Sequence, residues 1–148
     1  MRFPTKARYG LRAMMDLAMH DAYRRPVLLR DIAARQGISE RYLGQIFILL
    51  RHAGLVRGAR GAGGGFMLAK PPEEISLLEV VEACIGDMNM VDCVGKRESC
   101  ERADSCAARM VWTEINRVMR HALEEKNLSG LAEMQKGMGG DLATMYYI

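Results

Sequence analysis

One stretch, from Leu28 to Leu68, limits what this chain can fold into more than any other. Leu28–Gln36 has helical spacing with Ile32 and Ala33 facing inward. Gly37 supplies a turn, Ile38 an apolar anchor and Ser39 a cap. The next helix runs to about Ala53, with Leu43, Ile46, Leu49 and Leu50 on one face and Gly54 where a left-handed residue is wanted. Gly44 inside it costs about 1 kcal/mol relative to alanine, which points to a close backbone approach, to DNA or to another helix. Helix, tight glycine turn, helix is the helix-turn-helix pattern. Leu55-Val56-Arg57 and Phe66-Met67-Leu68 then flank a run of five glycines and three other residues, which predicts a β-hairpin. A glycine-rich loop can instead cradle a phosphate. Neither the Lys-Ser/Thr ending nor the following helix of a P-loop is present, so the hairpin reads as a wing.

Charge agrees with that reading. The net charge of +3 hides a division. Residues 1–70 carry 13 Lys and Arg against 4 Asp and Glu, a net of +9; residues 71–148 carry 8 against 14, a net of −6. Such asymmetry suits one half meeting a polyanion and the other meeting protein or solvent. In the first helix, which Thr5 is placed to cap, Leu11, Met14, Met15, Leu17 and Ala18 form the apolar stripe. Arg2, Lys6, Arg8 and Arg12 decorate its start, where cations oppose the helix dipole and are better explained by phosphate. Glu40, Arg41, Tyr42 and Gln45 stand at the N-terminal end of the second helix of the pair, the end that meets base edges in a major groove. Arg57 and Arg60 lie on the wing, and Arg60 is placed to enter a narrow minor groove.

Beyond Pro71-Pro72, Ser76-Leu77-Leu78-Glu79 is a capping box that opens a helix ending at Gly86, with Cys84 among its core residues. Cys93, Cys100 and Cys106 follow, separated by six and five residues in a polar stretch. No apolar run approaches the roughly 18 residues of a membrane span, and the basic N-terminus lacks the apolar core of a signal peptide. The expected compartment is therefore the cytoplasm, where thiols stay reduced. There the cluster reads as a metal or redox site. No C-x-x-C pair of the zinc type occurs, and the long irregular spacings suit a loop around an iron–sulfur cluster. A thiol redox switch is the alternative, and an electron carrier is the rival from another class; zinc ranks below these. From Ala107 the chain is helical again, with Val111, Ile115, Val118 and Ala122 on one stripe and Trp112, Met119 and Leu123 broadening it. That width predicts pairing with a second copy. Ser129–Gln135 reads as one more short helix, and residues 136–148 as a mobile tail.

The run Ile38-Ser39-Glu40-Arg41-Tyr42-Leu43-Gly44-Gln45-Ile46-Phe47, then Leu50-Arg51, Gly54-Leu55-Val56 and Arg60-Gly61-Ala62-Gly63-Gly64-Gly65-Phe66, resembles the IscR/NsrR family of bacterial winged-helix repressors. Thr5–Ala13 and Ile75–Glu82 are similar too, so the resemblance spans residue 1 to about 135. It implies a homodimer on palindromic promoter DNA and, where three cysteines cluster, sensing of iron–sulfur status, nitric oxide or redox state. Family members complete the ligand set with a histidine three residues beyond the last cysteine or with a carboxylate on the partner's first helix. Here those places hold Arg109 and Arg8.

The expected fold is mainly α with a small β-wing: a winged helix-turn-helix over 1–70, then a connecting helix, a sensor loop (about 87–106) and a long dimerisation helix (about 107–126) in one compact domain to 135. The expected function is that of a regulator, not an enzyme, and no membrane is involved. Arg2, Lys6, Ser39, Glu40, Arg41, Tyr42, Gln45, Arg57 and Arg60 would meet double-stranded DNA. Cys93, Cys100 and Cys106 would hold a cluster, 2Fe–2S ahead of 4Fe–4S.

Overall fold

The structure, a computed structural model, describes residues 1–146, with side chains through Gly139. Helix α1 (Thr5–Met19) starts from Pro4, whose carbonyl accepts from the Ala7 and Arg8 amides at 3.1 and 3.2 Å. Thr5 therefore does not cap. The preset φ of Pro4 starts the helix one residue earlier, and the Thr5 hydroxyl accepts instead from the Arg8 guanidinium at 3.3 Å. Ala7, Gly10, Ala13, Met14 and Leu17 form its buried face. Gly10 is there for lack of space: a Cβ would lie 2.3 Å from Cys84 Sγ.

Helix α2 (Leu29–Gln36) ends on Gly37, whose φ of 63° is the left-handed turn that the sequence predicts. Ile38 is buried, and Ser39 opens α3 (Glu40–His52) by accepting from the Tyr42 amide at 3.1 Å. Leu43, Ile46, Phe47 and Leu50 are buried within one cluster with Met14, Leu17, Ile32 and Ile38. A polar contact adds to this apolar fit. Asp16 is 1% exposed, and its carboxylate accepts both branches of Arg35 (2.6 and 3.0 Å) and the Gln36 amide (2.9 Å). The same hydrogen bond to Asp16 holds the Arg35 guanidinium above its ordinary pKa. One buried carboxylate thus fastens α2 to α1, and Arg12 repeats the link from the surface by donating to Gln36.

The wing is a two-stranded antiparallel hairpin, β1 (Val56–Ala59) and β2 (Gly65–Leu68), in the register Val56↔Leu68 to Ala59↔Gly65. It is stitched to the segment before α2: Val27 and Phe66 exchange backbone hydrogen bonds of 2.9 and 2.8 Å. Gly65 makes the approach possible, with φ 137° and no room for a Cβ against the Val27 carbonyl. Phe66 packs on Phe47 with ring centroids 4.6 Å apart, so the wing and α3 are set against each other directly.

Helix α4 (Leu77–Ile85) has the full capping box, with Ser76 and Glu79 bonded reciprocally at 3.1 and 2.8 Å. A single turn, α5 (Asp92–Gly95), and two short 3-10 turns lead to α6 (Ala107–Glu124) and α7 (Leu128–Tyr146). The Ser129–Gln135 helix is thus the first part of a longer one. Its first turns dock Leu128 and Ala132 into the core, and its backbone continues to Tyr146 through Gly137, Gly139 and Gly140, against their low helix propensity. Side chains from Gly140 on, and Tyr147-Ile148 entirely, lie outside the described residues. The α6–α7 junction is strapped to the start of α4: the Leu77 amide donates to the Lys126 carbonyl and the Leu128 amide to Ile75, both at 2.9 Å. Among the described residues no helix is long and apolar enough to cross a membrane.

Gly10→Ala should cost about 1–3 kcal/mol through overpacking against Cys84. Gly10→Ala with Cys84→Ala should recover much of that loss, read as the midpoint of thermal or denaturant unfolding.

Candidate nucleic-acid interface and cysteine loop

The face of α3 turned furthest from the core carries Arg41, Gln45, Ile48 and His52, all exposed and recurring at helical spacing. Leu43, Ile46, Phe47 and Leu50 lie diametrically opposite and are buried. Arg41 and Gln45 are therefore exposed on this outward face. Tyr42 is turned aside: it is half-buried against the core, edge-on to Tyr9 of α1 with centroids 6.0 Å apart. Glu40 is exposed in the first turn. Ser39 is committed as a cap, which leaves its own hydroxyl proton to donate outward. Ile48, 52% exposed, was not among the candidates; its sign in the sequence is its spacing, i+3 from Gln45 and i+7 from Arg41.

Arg2, Lys6, Arg57 and Arg60 are all exposed. Arg8 and Arg12 lie 6.0 and 5.6 Å from the Tyr9 ring centroid, so an Arg–Tyr cluster joins the start of α1 to the start of α3. Gly44 faces α2, but a Cβ there would meet only Leu29 Cδ2 at 3.7 Å, an ordinary contact. Packing within the chain therefore does not require the glycine.

Cys93 lies in α5, Cys100 between the two 3-10 turns, and Cys106 at the residue from which α6 starts. Cys100 is exposed, Cys93 and Cys106 are partly so, and all three thiols are free. The loop is fastened through its backbone. Arg109 on α6 donates to the Cys93 carbonyl at 2.8 Å and to the Ala103 carbonyl at 3.5 Å. Two turns further on, the buried Asn116 accepts from the Met90 amide at 3.0 Å and faces the Asn89 side chain at 3.4 Å. Arg120 then pairs with Glu82 of α4, which also accepts from the Met88 amide at 3.1 Å. Arg97 pairs with Asp104 across the loop, and Glu114 with Arg117, so two of the carboxylates near the cysteines already have partners. Among the described residues no three His, Cys, Asp or Glu side chains converge as a metal site. The donor chemistry nevertheless suits a thiolate-bound group, since three accessible free thiols share one loop.

A helix-turn-helix, a hairpin docked on its second helix and an exposed Arg–Gln face together define a winged helix-turn-helix DNA-binding transcription regulator. The chain belongs to the Rrf2 family, described as iron-dependent transcriptional regulators, which matches residues 3–134. Among its relatives, the HTH-type transcriptional regulator IscR of Photorhabdus laumondii is 39% identical over 136 residues, covering 92% of this chain and 82% of that one. IscR of Pectobacterium atrosepticum is 42% identical over 116 residues, 78% and 70% of the two chains. Among solved structures, CymR, the global cysteine regulator of B. subtilis, superposes with a TM-score of 0.74 at 33% identity, covering 90% of this chain and 98% of that one. T. potens IscR gives 0.74 at 32% identity, with 91% and 88% covered. These relatives are regulators of transcription, not enzymes.

Burial pushes the Cys84 thiol up to about 11, against a smaller opposing pull from Lys6. Iodoacetamide at neutral pH should therefore label Cys93, Cys100 and Cys106 in the folded, metal-free protein and leave Cys84 unmodified, as read by peptide mass spectrometry. Cys84 should label only once the chain is unfolded.

Proposed function

We propose that this chain is a homodimeric repressor that binds a palindromic operator, and that an iron–sulfur cluster of the 2Fe–2S type on Cys93, Cys100 and Cys106 sets its DNA affinity. One arrangement carries the reading: the cysteine loop is fastened to α6, α6 packs on α4, and α4 packs in turn on α1. Met119 and Leu123 of α6 pack in one apolar cluster with Ala7, Leu78, Val81 and Met88, which Phe3 also joins. Arg2 and Lys6 stand on that same start of α1. Bound, the cluster would supply sensitivity to oxidants, nitric oxide or iron supply. Arg109 and Asn116 hold the loop's backbone on α6, and Met119 and Leu123 pass a tilt of α6 through Leu78 and Val81 of α4 to Ala7, near the phosphate-facing end of α1. Residues 1–70 then read DNA, while 71–135 sense and dimerise. The family's iron dependence agrees with this reading. A second reading, a thiol switch without a cluster, is favoured by the commitment of Arg109 to carbonyls at a place where a fourth donor would be wanted.

On DNA, Arg41 and Gln45 face the major groove with Glu40 and Tyr42 beside them. Ser39, Arg2, Lys6 and Arg57 meet phosphate, and Arg60 enters the minor groove. The two reading helices of a dimer would lie about 34 Å apart, one turn of the duplex. The outer face of α6 supplies the dimer contact. Val111, Ile115 and Val118 form an exposed stripe there, 57, 38 and 52% accessible, flanked by Trp112 and Met110.

Anaerobically purified protein should contain iron and sulfide and show visible absorption. The Cys93→Ser, Cys100→Ser, Cys106→Ser variant should lose all three and change its operator affinity at least tenfold. Iron-free native protein that still responds to a thiol oxidant would favour the switch. Ile115→Glu should convert the dimer to monomer in sedimentation and weaken operator binding by more than tenfold, while leaving the helical circular-dichroism signal intact. A dimer that survives the change would contradict the assignment of this face.

A further inference from the structure

We infer that Ile48 is a specificity-determining residue of the DNA interface, reading the 5-methyl group of a thymine in the major groove. This rests on the reading that α3 enters that groove. Ile48 is 52% exposed at the centre of the stripe formed by Arg41, Gln45 and His52, directly opposite the buried Leu43, Ile46, Phe47 and Leu50. An isoleucine there gains nothing from the chain's own core, and its neighbours on the stripe are all polar. A lone exposed apolar side chain is common on protein surfaces, so a second observation matters. Gly44, one turn before Ile48 and at the edge of the same stripe, is tolerated but not required by packing: the nearest atom to a Cβ would be Leu29 Cδ2 at 3.7 Å. Gly44 thus adds no side chain of its own beside Ile48, where Leu29 of α2 is the nearest neighbour, on a face otherwise chosen for hydrogen bonding.

The major groove presents donors and acceptors at every base pair but only one apolar group, the thymine methyl. A branched aliphatic side chain, flanked by Arg41 and Gln45 and beside a glycine that lets the backbone come close, matches that group and no other feature of the groove. Polar neighbours fix the register of the helix on the bases, and Ile48 then distinguishes thymine from cytosine, which lacks the methyl group.

The test starts from an operator selected from random duplexes with the full-length protein. Each thymine is then replaced in turn by deoxyuridine, which keeps its pairing and loses only the methyl group. Wild-type protein should bind about ten- to twentyfold more weakly when one symmetric pair of positions is substituted, the loss expected for two methyl contacts, one in each half-site. Ile48→Ala should bind the thymine and deoxyuridine forms equally at that pair, with an unchanged melting temperature because the side chain supports no core contact. The inference is overturned if no position responds to deoxyuridine in wild type, or if Ile48→Ala keeps the full response. Arg41→Ala and Gln45→Ala separate the two levels of the argument. If neither alters any base preference, the groove reading itself fails. If either does while deoxyuridine has no effect, only the role of Ile48 fails.

Discussion

The contact on which this structure depends is the approach of α1 to α4 at Gly10, where the Cys84 sulfur occupies the space that a side chain would need. Because the two helices meet at this distance, one face of α1 can be shared between α4 and α7 while the other supports α2 and α3. Helices α2, α3, α4 and α7 are therefore mounted on the same helix and share one buried cluster, which runs from Ala13 through Leu128. The buried Asp16 completes the mounting. A carboxylate that is 1% exposed must be paired where it lies, and its partners Arg35 and Gln36 sit at the end of α2, just before the turn that aims α3.

What the sequence made legible was mostly local. Gly37, the Ser39 cap, the Ser76–Glu79 box and the glycine-rich hairpin each depend on residues within a few positions, and all four form as expected. Thr5 failed as a cap for a local reason as well, the preset backbone of Pro4. Long-range pairings were less readable. Asp16 and Arg35 are nineteen residues apart, and nothing but a lone acidic residue in an apolar stripe marks them in advance. Periodicity alone also left α6 with one broad apolar surface. The structure divides it: Met119 and Leu123 turn inward while Val111, Ile115 and Val118 face out. Which half of a wide stripe is buried is decided by what lies opposite, and that information sits on other elements. The same holds for the helix expected over 129–135, whose start is fixed by the docking of Leu128 and Ala132.

The cysteine loop shows how a single side chain can change roles. Arg109 cannot ligate a metal, since a guanidinium stays protonated and has no lone pair to offer. It instead gathers two carbonyls ten residues apart, holding the segment with Cys93 and Cys100 against the helix that begins at Cys106. The Arg97–Asp104 pair crosses the same segment from the solvent side. The loop is thus shaped by backbone and ion-pair contacts that do not involve sulfur, and its three thiols remain available for other chemistry.

The strap at Ile75–Leu77 and Lys126–Leu128 has a mechanical consequence. Its two hydrogen bonds fix the C-terminal end of α6 to the beginning of α4, so this end serves as a pivot. Towards its other end α6 holds the cysteine loop through Asn116 and Arg109, and Arg120 ties it to Glu82 of α4 in between. The helix has 18 residues, about 27 Å, so its Cys106 end stands far from the strap. A pull at Cys106 would therefore act through the longest arm about the strap, and one at Leu123 through the shortest.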